Sequence, residues 1–484
     1  MGNLLSRYRN LPIAVRASFW FLLASFLQKA ISALTTPIFT RLMNTTEYGA
    51  YSVYDSWFNI ISIFVCLNLF AGFYVRGLTK YNNDREKFSS SLLGLTTTLV
   101  CIWLLIYLLF NSFWNNLFDL TTLQMFSLLA RIWGTSCFCF WAMEKRVELN
   151  YKKLIILSIF MSLVKPVAAI IAVSYAEDKV TARIIAVSIV EVLGYSFCFV
   201  DQMCRGKAFF NMSYWKSALL FAIPLIPHYL SMEVLNSADK IMIKNMISES
   251  AAGIYALAYS LSKIMVLFNT ALNQTVEPWL YKKINDNQID ELAKVAFPCF
   301  VLIAIVNALL IAFAPEAVAI FAPAEYYDAI WIIPPVAMSV YFMFLYTFFA
   351  VFEFYFKKTR LIAIATCFGA VLNVGLNYIF IDLVGYYAAG YTTLVCYIAY
   401  ALVHYVFMKK ICLENFKNAN PYNTKKLMSI SASFVAIGLL LTYTYKYMYM
   451  RYFLISGILF IILTKKAVII RLVKSIIELK RKKD

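Results

Sequence analysis

Residues 92–110 read LLGLTTTLVCIWLLIYLLF and residues 154–175 read LIILSIFMSLVKPVAAIIAVSY. Each run is continuously apolar and matches the roughly 20 residues that a helix needs to cross a hydrocarbon core about 30 Å thick. A membrane barrel needs shorter segments that alternate apolar and polar residues, and these runs do not alternate. Working outward from them, the breaks between apolar runs mark fourteen spans, starting near residues 17, 48, 89, 120, 154, 180, 217, 251, 295, 330, 361, 386, 427 and 452. The chain as a whole agrees: 62% of its 484 residues are hydrophobic and 14% charged, with a mean hydropathy of +0.71, well beyond a soluble domain. The expected fold class is an all-α integral membrane protein.

An even number of spans puts both termini on one side of the membrane, and the distribution of Lys and Arg says which. Basic residues gather in Arg7–Arg16, Arg76–Lys87, Lys145–Lys153, Arg205–Lys216, Lys282–Lys294, Lys357–Arg360, Lys409–Lys426 and from Lys465 onward. All of these segments fall on the terminal side, and few basic residues fall opposite, so a multi-pass inner-membrane protein of a bacterial cell with cytoplasmic termini is expected. The net charge of +18 needs no nucleic acid as partner, because it is spread over these segments rather than gathered on one domain. The tail 465–484 reads as a basic cytoplasmic anchor for anionic headgroups. The first apolar stretch lacks a small-residue cleavage site, so the start is expected to belong to the mature protein. The ten cysteines imply no disulfide framework, and the Cys and His spacing gives no metal site.

A shift of 204 residues lays Gly49-Ala50-Tyr51 on Gly253-Ile254-Tyr255 and Ser56 on Ser260. Weak internal similarity of this kind is left by transporters built from repeats. The expected organisation is two six-helix lobes related by a pseudo-twofold, residues 12–205 and 214–411, then two additional helices over 426–464.

Intramembrane polar residues cost several kcal/mol each, roughly 2.5–3.5 by insertion scales, and are therefore informative. Ser25, Lys29, Ser32 and Thr36 share one face of span one; Asp55, Asn59, Ser62 and Cys66 share one face of span two. Span seven carries Glu233, Asn236 and Lys240 with Asp239 adjacent, and span eight carries Tyr259, Lys263, Thr270, Gln274 and Glu277. The stripes suggest a hydrated site in which the lysines hold an anionic group while Asp55, Glu233 and Glu277 balance them or accept a coupling proton or sodium ion. Buried ion pairs locking helices together are the alternative. Arg131, Lys165 and Glu191 lie in spans with less organised polar faces and read as structural. Pro224 and Pro227 should bend or break span seven, and Pro166 should do the same in span five.

Gln28-Lys29, Thr36-Pro37-Ile38-Phe39-Thr40-Arg41-Leu42 and Glu47-Tyr48-Gly49 resemble the opening of Wzx-type oligosaccharide flippases, which carry O-antigen or capsule repeat units. Pro224-Leu225-Ile226-Pro227-His228, Ala238-Asp239-Lys240-Ile241-Met242-Ile243 and Ala252-Gly253-Ile254-Tyr255 resemble the opening of that family's second lobe. The resemblance reaches to about residue 410 and places the chain with the polysaccharide transporters of the multidrug/oligosaccharidyl-lipid/polysaccharide exporter superfamily. It implies alternating access through a cleft between the lobes and a substrate made of polyprenyl pyrophosphate and an oligosaccharide, with Lys29, Lys240 and Lys263 matching a cationic cleft. It also implies membrane lipids as partners, and a glycan polymerase with its chain-length machinery as neighbours in the pathway. The flippase for the peptidoglycan precursor has several arginines early in its first two spans where this chain has Lys29 alone, which argues against lipid II as ligand. No catalytic apparatus and no cofactor is expected. A cation-coupled multidrug-type exporter is the nearest rival; a membrane glycan polymerase is a further one, disfavoured by the short, base-free outer loop Ala314–Asp328. An ATP-driven pump is disfavoured because Gly206-Lys207 follows no Gly-rich loop.

Overall fold

The computed structural model describes residues 13–416 and 420–464. The basic tail expected over 465–484 lies outside the described residues. Every regular element among them is helical, and twelve described helical stretches are long and apolar enough to cross a membrane. Two further expected spans, the second and the fourteenth, correspond to helices of 22 residues and of 17 residues that fall outside those twelve.

The chain divides into two compact units, residues 1–233 and 234–484. The first contains α1 (Ile13–Leu42), α2 (Thr45–Cys66), α3 (Gly72–Lys80), α4 (Arg85–Leu109), α5 (Asn111–Phe118), α6 (Thr122–Val147), α7 (Tyr151–Tyr175), α8 (Lys179–Gly206) and α9 (Met212–Ala222). Helix α10 (Ile226–Met246) runs across the boundary. The second unit continues with α11 (Glu249–Lys263), α12 (Met265–Asn285), α13 (Leu292–Ala312), α14 (Ala314–Phe321), α15 (Ile333–Tyr355), α16 (Thr359–Val384), α17 (Ala388–Asn415), α18 (Thr424–Tyr443) and α19 (Met448–Thr464).

The division falls inside span seven rather than in the connection 206–213 that the sequence suggests. The reason is packing: α9 belongs to the first unit, where Trp215 donates to the Ser91 carbonyl at 2.8 Å and Phe221 lies 5.6 Å from Phe73. Helices α18 and α19, expected to stand outside the repeat, belong to the second unit; α18 packs on α13 and α15.

The repeat is visible in the order of elements. The 204-residue shift carries Leu42, the end of α1, onto Met246, the end of α10, and Thr45, the start of α2, onto Glu249, the start of α11. The caps correspond as well. Asn44 accepts from Glu47 N at 2.9 Å while Glu47 answers with a bond to Asn44 N at 2.9 Å; Ser248 accepts from Ala251 N at 3.1 Å. Such a cap is worth about 1 kcal/mol, enough to fix where a helix starts but far too little to hold the bundle.

Packing holds it. In the first unit Phe88, Leu92, Phe140 and Tyr74 are fully buried, and α8 packs on α4, α6 and α7. In the second, α15 is the central helix, packed by α11, α12, α13, α17 and α18, with Phe300 of α13 set edge-on to Phe348 at 4.9 Å. The outer faces carry exposed Leu109, Leu193 and Val371, as lipid-facing helices require.

Two expected spans are broken. Span seven breaks at Pro224, where a short 3-10 turn separates α9 from α10. Span two breaks after Cys66, where Leu67 and Asn68 adopt left-handed φ values of 52° and 46°, and resumes as α3. In span eight a one-residue turn at Ile264 separates α11 from α12, with the backbone still right-handed helical at φ −56° and ψ −33°. Pro166, by contrast, sits within the uninterrupted α7.

Candidate functional site

In the first unit the polar residues of four helices converge on Arg131. Its Nη1 meets Asp55 Oδ1 of α2 at 3.0 Å and its Nε meets Glu191 Oε2 of α8 at 2.8 Å, while Lys165 Nζ of α7 meets Glu191 Oε1 at 2.8 Å. The guanidinium lies 4.0 Å from the Phe58 ring centroid. Glu191 is nearly sealed and Arg131 largely so, whereas the Asp55 side chain keeps 40% of its surface open. Two cations and two carboxylates balance, so the group locks α2, α6, α7 and α8 together. Asp55, read from sequence as a residue of the site, is thus engaged by Arg131, one of the residues that looked merely structural. The sequence signal was the intramembrane charge itself; the partners lie 60 and 76 positions apart.

Asn59 is half-buried one turn beyond Asp55, and its carbonyl accepts from Ser62 at 2.8 Å. Lys29 is exposed on α1, beside exposed Ser25 and Ser32. Among the described residues it joins no ion pair.

The second unit brings together more of the expected residues. Tyr259 of α11, 7% exposed, has the Lys263 ammonium 4.4 Å from its ring centroid and that of Lys240 6.0 Å away. Lys263 also donates to Asn236 Oδ1 of α10 at 3.2 Å. Two lysines, an amide and a ring are thereby gathered beside the turn at Ile264. The ring faces are attractive to ammonium groups, and sharing one ring lets two like charges stand close with less mutual cost than in bare hydrocarbon.

Directly behind lies Asp239, 1% exposed. It takes hydrogen bonds from Tyr255 at 2.5 Å, Asn377 Nδ2 at 2.6 Å and Thr393 Oγ1 at 2.8 Å. Thr392 donates in turn to Asn377 Oδ1, and Tyr255 stacks on Tyr259 with centroids 5.8 Å apart. A buried carboxylate that accepts three hydrogen bonds is held in place by its donors.

Glu233 is half-buried on α10. Gln274 and Glu277 are exposed on α12, and no contact joins them to the lysine group among the described residues. The sequence placed them on one stripe with Tyr259 and Lys263 by counting a continuous helix; the one-residue turn at Ile264 lies within that count.

The 204-residue shift also aligns the two groups. It lays Ser32 on Asn236, Asp55 on Tyr259 and Asn59 on Lys263. The same positions of the repeat thus carry a carboxylate and an amide in the first unit, and a ring and a cation in the second.

Comparison with known proteins follows the same division into fold and family. The family described as polysaccharide biosynthesis protein matches residues 14–283. An Lsg locus protein of Haemophilus influenzae is 26% identical over 213 residues, covering 41% of this chain and 52% of the relative; the chain thus matches about half of that relative's length. The solved lipid II flippase MurJ, in an inward closed conformation, superposes with a TM-score of 0.63 at 15% identity, covering 89% of this chain and 99% of that one. An inward-facing multidrug resistance MATE transporter of the MOP superfamily superposes with a TM-score of 0.60 at 14% identity, covering 81% and 96%. At such identities the likeness is one of fold. With more than half of its length matched by the family, this multi-pass membrane protein belongs to the polysaccharide biosynthesis protein family, in agreement with the flippase motifs of its sequence.

Proposed function

We propose that the protein is a flippase that moves a polyprenyl-pyrophosphate-linked oligosaccharide from the cytoplasmic to the outer leaflet of a bacterial inner membrane by alternating access, for assembly of a surface polysaccharide such as O-antigen or capsule. The observation that carries this reading is the group of Lys240, Lys263 and Asn236 around Tyr259. A pyrophosphate offers several acceptor oxygens and two or more negative charges, and two ammonium groups with an amide donor complement it. Lysines hold such a headgroup as point charges on flexible stems, without the bidentate fixity of arginine, which suits a ligand that must be released on the far side. The family match supports the same reading.

No bond is made or broken in this cycle. The cell's glycan polymerase and chain-length machinery would take the substrate after release. The cycle would draw on a coupling sodium ion or proton, while Asp239, one residue from Lys240 and linked to Tyr259 through Tyr255, would fix the position of the lysine group. A multidrug exporter for organic cations is the weaker reading, because the paired lysines oppose a positive ligand.

Deletion of the gene followed by complementation tests the reading. Lipid-linked oligosaccharide should accumulate in the cytoplasmic leaflet without the protein and clear with the intact chain, while Lys263→Ala should restore little. Unchanged delivery to the outer leaflet in the deletion strain would end it.

A further inference from the structure

The second unit holds one buried ionisable pair that the transport site does not use. His404 of α17 and Glu353 of α15 are 1% and 0% exposed, and His404 Nδ1 lies 2.6 Å from Glu353 Oε1. Tyr400 meets the imidazole edge-on at 4.5 Å and Tyr346 stacks on it at 5.3 Å. Both outward atoms of the pair, His404 Nε2 and Glu353 Oε2, are buried with no hydrogen-bond partner. A structural pair of this depth is expected to satisfy its remaining polar atoms. Here one acceptor and one ring nitrogen are left over.

The corresponding helices of the first unit solve the same problem differently. Glu144, near the end of α6, is fully buried and is held by Arg205 of α8 and by Gln202 at 2.8 Å. Arginine keeps its charge at every accessible pH; histidine does not. The first unit therefore carries a fixed ion pair where the second carries one that can lose a proton.

We propose that the Glu353–His404 pair is a proton-binding site, exchanging one proton with water as the transporter cycles and coupling the second unit to the proton gradient. This rests on the transporter reading above. With the proton bound the pair is neutral overall. Without it an imidazole faces a carboxylate, leaving one buried negative charge that the surrounding rings do not compensate. Release therefore favours a conformation that admits water or a cation, and rebinding favours the closed one.

Among the described residues the elements packed around the pair place no ion-pair partner on it. The α16 face that meets Tyr400 is formed around Gly369 with buried Ile362, Ala365 and Thr366. Helix α13 contributes Phe300, α12 contributes Tyr281 and Asn285 at the Tyr355 end, and the segment before α18 contributes Tyr422. At the basic end Lys358 pairs with Glu414 at 3.3 Å, Lys283 with Glu291 at 2.5 Å, and Lys409 and Lys426 lie over Tyr405 and Phe297; elsewhere α12 carries Glu277, α16 carries Asp382, and α11, which packs on α15, carries Lys263. Among the described residues none of them forms an ion pair with Glu353 or His404.

The chain has two histidines, so His228→Gln leaves one reporter. The full chain, labelled with 15N-histidine in bilayers of phosphatidylethanolamine and phosphatidylglycerol, should give a single imidazole signal that changes reversibly as the pH is varied, and Glu353→Gln should alter that dependence. A signal that does not respond to pH overturns the site, whatever the substrate proves to be. In cells, His404→Arg, which copies the arrangement of the first unit, should fold and reach the membrane at normal levels yet lose at least tenfold of its glycan export when a proton gradient drives it. Export with the normal dependence on pH would overturn the coupling while leaving the flippase reading intact.

Discussion

Arg131→Met is the sharpest perturbation of the first unit. The guanidinium satisfies Glu191, whose side chain is 3% exposed, and Asp55, whose side chain is 40% exposed. Removing it strands Glu191 with Lys165 alone at 2.8 Å. Breaking a buried pair from one side costs about 3–5 kcal/mol; the Asp55 share is small, since an exposed pair is worth about 0–1 kcal/mol. Arg131→Lys should recover only part of the loss, because one ammonium cannot reach two carboxylates in the guanidinium geometry. Arg131→Met with Glu191→Met removes both sealed charges, leaves Lys165 and Asp55 their partial exposure, and should regain most of the stability. Thermal unfolding of the detergent-solubilised chain, followed alongside chemical denaturation, reads these differences. A single variant within about 1 kcal/mol of the parent, or a double variant as unstable as the single, would refute the claim that the network is a charge-balanced lock.

Other perturbations test separate parts of the structure. Gly94→Ala would put a methyl group 2.0 Å from the Phe209 carbonyl oxygen, a backbone atom with little freedom to yield, so the variant should express poorly or lose several kcal/mol, on the order of an overpacked core. Asp239→Asn turns an amide N–H toward one of the three donors that Asp239 now accepts from, Tyr255, Thr393 and Asn377; thermal stability should fall by about 1–3 kcal/mol and headgroup binding beside Tyr259 should weaken. Ser248→Ala removes the cap of α11 and should cost about 1 kcal/mol, measurable as a modest fall in Tm. Tyr259→Leu removes the ring that both lysines approach and should weaken headgroup binding more than it weakens folding, read as a change in affinity for the lipid-linked substrate at unchanged expression.

Much of the fold was legible because a bilayer makes a single strong demand. Continuous apolar runs can only be spanning helices or buried ones, and the basic clusters order them. The repeat was legible too, since Asn44 and Ser248 cap corresponding helices at one fixed shift. The breaks were read unevenly. Pro224 and Pro227 announce the break in span seven by chemistry, whereas Ile264 and Leu67 carry no local signal. The proximity of the second-unit residues follows from local spacing, because Asn236, Asp239 and Lys240 are neighbours on one helix and Tyr259 and Lys263 are one turn apart on another. The Arg131 network was not, since four helices contribute one residue each and no periodicity within a single span reveals a partner on the next. Lys29 was ranked with the other lysines by its motif, yet it is exposed on α1 and joins no ion pair among the described residues.

The most direct test uses the purified full chain in vesicles, together with the lipid-linked oligosaccharide extracted from cells that lack the gene. With the substrate loaded in both leaflets, the fraction open to an impermeant sugar-modifying enzyme is followed over time. The account predicts that the protected half becomes accessible with the intact chain and stays protected with the Lys240→Ala, Lys263→Ala double variant. Protection that persists with the intact chain, as in protein-free vesicles, would contradict it.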